Sequence, residues 1–189
     1  MLKRTAKKEL LLVTPSRAYK TKCMVKDLTS IEPFKRACES TTGRTMTKSS
    51  AYNLLKRMYI AEHSPIRCRI FFIEIKNIPT FVCNHFVRHK VGVEFFCLSH
   101  RSDRCKVPDE QSNRLTPTNF SMLINAQALI NMARKRLCNK ASKETREVMK
   151  LIRDAIGEID SSLALRLVPD CVYRGGQCHE LSCCGEAVA

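Results

Sequence analysis

A chain of 189 residues, 44% hydrophobic and 27% charged, carries enough apolar side chains to close one core, which excludes disordered and collagen-like polypeptides and predicts a single domain over residues 1–189. No run of about 18 apolar residues occurs, and the basic start is followed only by a short apolar run at 10–13, so neither a membrane span nor a secretion signal is expected. Eleven cysteines, an odd number at irregular spacing in a chain large enough to fold without staples, predict reduced thiols and a cytoplasmic location, while a net charge of +15 points to polyanionic partners, either nucleic acid or phosphorylated small molecules.

The first apolar run, Glu9-Leu-Leu-Leu-Val13, ends at Thr14-Pro15 and predicts a buried strand closed by a turn. Ile31, Phe34, Ala37 and Cys38 share one face of a first helix, with Thr29 or Ser30 as its cap and Thr41-Thr42-Gly43 as its end. A second helix is expected over 49–61, with Leu54, Leu55, Met58 and Tyr59 turned inward, stopping at Ser64-Pro65. Residues 67–75 are rich in β-branched and aromatic side chains and predict a strand. Pro79 fits the first turn of a helix that runs to about Val87 and delivers Arg88-His89-Lys90 at its C-terminal end. Residues 91–97 predict another strand, followed by the polar segment 99–104 and a loop through Pro108 and Pro117.

From Phe120 to about Asn139 the apolar positions Leu123, Ile124, Ala126, Leu129, Ile130, Ala133 and Leu137 recur at helical spacing, which predicts one long helix. Ser142 can cap the next helix, over 143–159, with Val148, Met149, Ile152, Ala155 and Ile156 inward. The last thirty residues lose this periodicity, and 170–189 are expected to form an irregular, cysteine-rich tail. The class is therefore α+β, with a small antiparallel or mixed sheet and long helices.

Chemistry concentrates between Arg88 and Arg104, where four cationic side chains, two histidines, hydroxyls and a carboxylate flank an apolar strand. Arginine grips phosphate in a planar, bidentate way that lysine lacks, so such a segment suits a phosphorylated ligand, although a solvated charged loop has the same composition. Cys97, inside the apolar strand, fits an inert core thiol better than a nucleophile.

Two separate motifs carry a resemblance. His63-Ser64-Pro65 before a strand, followed by Arg88-His89-Lys90 and Ser99-His100-Arg101, is similar in order and spacing to the flavin-dependent thymidylate synthases, and Asn125-Ala126-Gln127 through Arg166-Leu167-Val168-Pro169 resembles that family's later helices. The resemblance covers about residues 50–175 and implies the family's fold. It also implies flavin (FAD) contacts at His63, Arg88, His89 and Lys90 and dUMP contacts at Ser99, Arg101 and Arg166; apart from the resemblance, Arg174 beside Gly175-Gly176, where backbone can approach a ligand closely, is a weaker candidate for a substrate contact. Lys90 stands where the family has arginine, and residues 176–185 replace its closing helix.

The implied activity is conversion of dUMP to dTMP, with methylene-tetrahydrofolate as carbon donor, reduced FAD as hydride source, NADPH as reductant and no protein nucleophile. A related modification of deoxyuridylate at carbon 5 fits the same residues. The resemblance further implies a homotetramer whose active sites are shared between subunits. A non-catalytic nucleotide or nucleic-acid binder is the second reading, supported by the charge and weakened by few stacking aromatics: eight Phe, four Tyr and no Trp. In the tail, Cys171, Cys178, His179, Cys183 and Cys184 lie close enough in sequence to ligate zinc, but without a Cys-x-x-Cys pair the expectation is no metal and free thiols.

Overall fold

The computed structural model describes residues 9–13, 19–101, 103–104 and 111–186, with side chains of 9–13 excepted. Five strands form one antiparallel sheet in the order β1 (Glu9–Val13), β2 (Lys22–Asp27), β3 (Ile70–Pro79), β5 (Pro117–Asn125), β4 (Val93–Cys97). The register lines up the inward side chains in rows across the sheet. Phe71 opposes Ile124, which opposes Val93. Val25, Ile73, Met122 and Phe95 form the next row, and Cys23, Ile75, Phe120 and Cys97 the third. Most of these are fully buried, and each large apolar side chain removed from water contributes about 1.5–3 kcal/mol.

That buried face fixes where the helices go. Helix α5 (Lys143–Gly157) covers β1 and β2 with Val148, Met149, Ile152, Ala155 and Ile156, and the Ser142 hydroxyl accepts from the Thr145 N–H at its start. Helix α3 (Thr80–Phe86) packs under β3 and β5, and α4 (Ala126–Arg136) follows directly from β5. Helices α1 (Ile31–Thr42) and α2 (Lys48–Ala61) pack on each other, with Ser30 capping α1 as expected. Two single turns follow, α6 (Ser161–Ala164) and α7 (Asp170–Tyr173), and α7 lies in the tail expected to be irregular.

The expected helix from Phe120 to Asn139 is corrected: its first part is the strand β5, and α4 begins only at Ala126. Phe120, Leu123 and Ile124 fit a helical period, but Phe120, Met122 and Ile124 fit a strand equally well. Pairing decides between them, because β3 has β2 on one side only and β5 satisfies its other edge. Asn125 marks the change by accepting the Ala128 N–H at 2.9 Å as the α4 cap.

The strand expected at 67–75 starts later and runs further, because Ser64–Cys68 form a 3-10 turn opened by Pro65. Strand β2 has no counterpart among the expected elements, since its two core residues, Cys23 and Val25, alternate with Lys22, Met24 and Lys26 over only a few positions. The loop expected through Pro108 falls partly outside the described residues, and Pro117 opens β5 instead of belonging to that loop.

Arg69 ties the sheet to α1. Its guanidinium, 7% exposed, donates to Asp27 Oδ2 and to the Thr29 carbonyl, each at 2.6 Å, joining the end of β2 to the start of β3. Among the described residues, no helix is long and apolar enough to cross a membrane.

Candidate functional site

Helix α3 runs back beneath the sheet from the Pro79 end, so the residues after it emerge beside the start of β4. Val87 and His89 donate their N–H groups to the Cys83 and Phe86 carbonyls, at 3.1 Å each, which brings Arg88 and His89 round the negative end of the helix. Arg136, in the last turn of α4, donates its Nε–H to His89 Nε2 at 3.0 Å. That bond requires Nε2 to be the acceptor, so His89 is neutral with its proton on Nδ1. Burial, then the Arg136 charge, pushes the His89 pKa down to about 4.

More cationic groups gather along α3. His85 Nδ1 lies 2.8 Å from Thr145 Oγ1, and its pKa is lowered by burial and by Arg136, Arg88 and Arg114, against a smaller opposing effect from Glu144. Arg136 itself is lowered by burial and by Arg88. The Arg114 guanidinium sits over the Phe81 ring, 4.9 Å from its centroid. Among the described residues, no carboxylate forms an ion pair with Arg88, Arg114 or Arg136. Arg88 acts on Arg136, and both act with Arg114 on His85, so these groups form a basic strip that an anion would relieve.

The turn that carries Arg88, His89 and Lys90 is locked to the start of α4. The Gly92 carbonyl accepts from the Asn125 N–H at 3.0 Å. Gly92 has φ 74°, and a Cβ there would lie 2.5 Å from Asn125 Nδ2, so only glycine fits. Lys90 itself is exposed.

His63 is exposed and precedes the 3-10 turn Ser64–Cys68. Its neighbour Glu62 pairs with Gln127 and Arg134 of α4. The two motifs expected to hold a flavin are thus both anchored on α4. They attach to different flanks, since Arg134 and Arg136 are about 200° apart around the helix.

The residues expected at the nucleotide lie elsewhere. Ser99 and Arg101 follow the far end of β4, whose five residues separate them from Arg88 to Lys90 by roughly 17 Å. Among the described residues, no ion pair joins the two sets. Arg101 is 65% exposed and donates from Nε and Nη2 to the Asp103 carboxylate at 3.0 and 3.2 Å, while its backbone N–H donates to Ser99 Oγ at 3.4 Å. Beside them His100 Nε2 lies 3.3 Å from Thr118 Oγ1, and its buried Nδ1 has no hydrogen-bond partner.

Arg166 follows α6 and is half-buried, with its Nε buried and without a hydrogen-bond partner. Arg174 is exposed and paired with Asp170 at 3.0 Å, so its charge is already engaged. Two contributors were not expected from the sequence. Arg136 had no motif to mark it, and Arg114 lies in a segment read as loop. The only signal for Arg136 was its place in the basic run Arg134-Lys135-Arg136 at a helix end, which reads as ordinary complement to the helix dipole.

In the tail, Cys171 Sγ stands 3.8 Å from Cys184 Sγ, and the Cys184 N–H donates to Cys178 Sγ at 3.3 Å. Cys183 is exposed, and among the described residues no group of three or more His, Cys, Asp or Glu side chains could hold a metal ion.

Comparison with solved structures places this architecture. The chain shares its fold with thymidylate synthase X (ThyX) of Helicobacter pylori, solved with FAD and dUMP. In one such structure the TM-score is 0.61 at 16% identity, over 76% of this chain and 98% of that one. In a second, also with FAD and dUMP, the TM-score is 0.63 at 16% identity, over 74% and 96%. The UMP/dUMP methylase PolB of Streptomyces cacaoi, bound to 5-bromo-dUMP, matches with a TM-score of 0.58 at 15% identity, over 76% and 93%. No protein-family model and no curated sequence matches the chain. The expected α+β class and thymidylate-synthase-like fold are therefore those of the molecule.

Proposed function

We propose that the chain is a flavin-dependent enzyme that modifies deoxyuridylate at carbon 5, of the kind that converts dUMP to dTMP. The observation that carries this reading is the basic strip of Arg88, His89, Arg114 and Arg136, which lacks carboxylate partners among the described residues and lies where the sequence resemblance expects the flavin. The fold is shared with proteins solved with FAD and dUMP, which supports the same ligands here.

The residues fit such a cofactor on their own chemistry. Arg88 and Arg136 offer guanidiniums to a diphosphate, and neutral His89 adds a ring that carries no charge at pH 7. When bound, reduced FAD would supply the hydride, with methylene-tetrahydrofolate giving the carbon and NADPH the electrons. This chain's residues would bind and orient: Arg88, His89 and Lys90 with His63 at the flavin, and Ser99, Arg101 and Arg166 at the nucleotide phosphate, with Arg174 a weaker contributor. The buried, unpartnered Nε of Arg166 supports a ligand there, because burying an N–H without an acceptor costs about 1–3 kcal/mol.

The separation along β4 has a consequence for assembly. With Arg88 and Arg101 at opposite ends of β4, a flavin and a nucleotide brought together by different copies is one arrangement that fits, and it supports a homotetramer with shared sites. Phe96 and Leu98 of this edge region are 58% and 43% exposed, apolar surface that a second copy would cover. The test is rescue of a thymidine-requiring bacterium. Growth without thymidine is expected with the wild-type gene and not with Arg88→Ala, and failure of an expressed, folded wild-type protein to support growth contradicts thymidylate synthesis.

A further inference from the structure

Two thiols outside the basic strip are brought into contact where α3 meets the end of β4. Cys83 Sγ lies 3.5 Å from Cys97 Sγ, closer than the 3.8 Å between Cys171 and Cys184. The aromatic rings around them explain the approach. Phe120 of β5 packs on Phe86 of α3, with ring centroids 5.6 Å apart, and on Phe95 of β4, at 5.9 Å. Cys83 stands one turn before Phe86 on the same face of the helix. Cys97 follows Phe95 on the same face of the sheet and opposes Phe120 in the register. The three rings therefore hold both thiols at one point. Cys83 is 5% exposed, whereas Cys97, expected from its apolar strand to be an inert core thiol, is exposed.

We propose that Cys83 and Cys97 form a redox-active dithiol, a modification site at which a low-molecular-weight disulfide such as oxidised glutathione installs an intramolecular disulfide. Exposed Cys97 reacts first. Its thiolate attacks one sulfur of the reagent, the reagent's S–S bond breaks, and one glutathione leaves with the electron pair. Cys83 Sγ then attacks Cys97 Sγ, the mixed disulfide breaks, and the second glutathione leaves. In sum the two protein thiols give up two electrons and two protons, and one oxidised glutathione becomes two glutathione thiols. Burial, and then Cys97, raises the Cys83 pKa, so this thiol resolves the mixed disulfide instead of starting the exchange. Contact with Cys97 offsets its small thiolate fraction, because the sulfurs need close only from 3.5 Å to a bond of about 2.05 Å.

The cross-link would close a loop from 83 to 97 that contains Arg88, His89 and Lys90. Its β4 end leads directly to Ser99 and Arg101, and the Leu98 N–H, donated to the Asn119 carbonyl at 2.9 Å, keeps that end on β5. Oxidation would therefore fasten α3 to the end of β4 and tie the cationic turn down at both ends. Phe96 and Leu98 alternate with Cys97, so a second copy seated on them would meet the other face of the strand. The exchange proceeds whatever Arg88 binds, and so does not rest on the proposed flavin site.

The test is to purify the full chain reduced, expose the folded protein to oxidised glutathione, and map its disulfides by non-reducing digestion and mass spectrometry. A peptide joining Cys83 to Cys97 is expected in the wild type, lost again on treatment with a dithiol reductant. Thermal unfolding of the oxidised form should rise by about 5 °C or more, through the closed loop. Cys83→Ala, which keeps the buried position apolar, should trap one glutathione on Cys97, and Cys97→Ser should take up none at either position. The wild type is mapped first, so a variant that fails to fold does not decide the outcome. Oxidised, folded wild-type protein without the Cys83–Cys97 peptide, or with Cys97 joined to a different cysteine, would overturn the proposal. So would a folded Cys83→Ala chain that leaves Cys97 unmodified. The peptide map reads the cross-link whether or not FAD binds, so its failure is distinct from failure of the flavin reading.

Discussion

His89 shows how a single side chain reports the state of its site. Its pKa is held near 4 by burial and by Arg136, below the usual histidine value of 6.5. A depressed histidine adds stability that is present above the unfolded value and lost as pH falls toward the folded one. Acidification from pH 6.5 to 4 should therefore cost the wild type about 1–2 kcal/mol more than His89→Gln, after allowance for partial solvent screening. Urea unfolding across that window measures it, and parallel pH profiles for the two proteins contradict the account.

Arg101 offers a second prediction at this scale. A phosphate that takes Arg101 must first displace Asp103, an exposed partner whose pairing is worth about 0.2–1 kcal/mol. Asp103→Asn should then tighten dUMP binding by up to about fivefold, as read by titration calorimetry. Weaker binding would place the nucleotide away from Arg101. The cationic clusters at 88–90 and 99–101 stand out in the sequence by their charge and spacing. Arg136 does not, because it meets His89 only after β5 and α4 have folded, 47 positions along the chain.

At the scale of elements, helices were more legible than strands. The caps at Ser30 and Ser142 and the inward faces of α1 and α5 follow from local patterning, which a helix satisfies within itself. Strand β5 was read as helix because its apolar residues fit both periods, and only its pairing with β3 and β4 resolves them. Two joints carry the account. Gly92→Ala should destabilise the protein by about 1–3 kcal/mol, through its left-handed backbone and the clash with the Asn125 cap. Arg69→Met should cost about 3 kcal/mol by stranding Asp27 and undoing the link between β2, β3 and α1. Thermal or chemical unfolding measures both, and changes under about 0.5 kcal/mol would mean that these joints bear little of the fold.

At the scale of the whole molecule, the α+β class followed from composition and pattern, whereas the distance between the residues proposed for the flavin and those proposed for the nucleotide did not. Nothing in a linear sequence tells that β4 runs away from Arg88 before it reaches Arg101. A site shared between copies makes a specific demand: Arg88→Ala and Arg101→Ala chains, each inactive alone, should recover activity when co-expressed, and no recovery from a mixed assembly would confine the site to one chain.

The account rests on the basic strip of α3 and α4 being a flavin site. Titration of purified protein with FAD, followed by flavin absorbance and fluorescence, measures this most directly. Saturable binding is predicted for the wild type, with at least a tenfold loss of affinity in Arg136→Ala that keeps its circular dichroism, equivalent to about 1.4 kcal/mol or more. Folded wild-type protein that takes up no FAD, or an Arg136→Ala variant that binds it as tightly, would contradict the account.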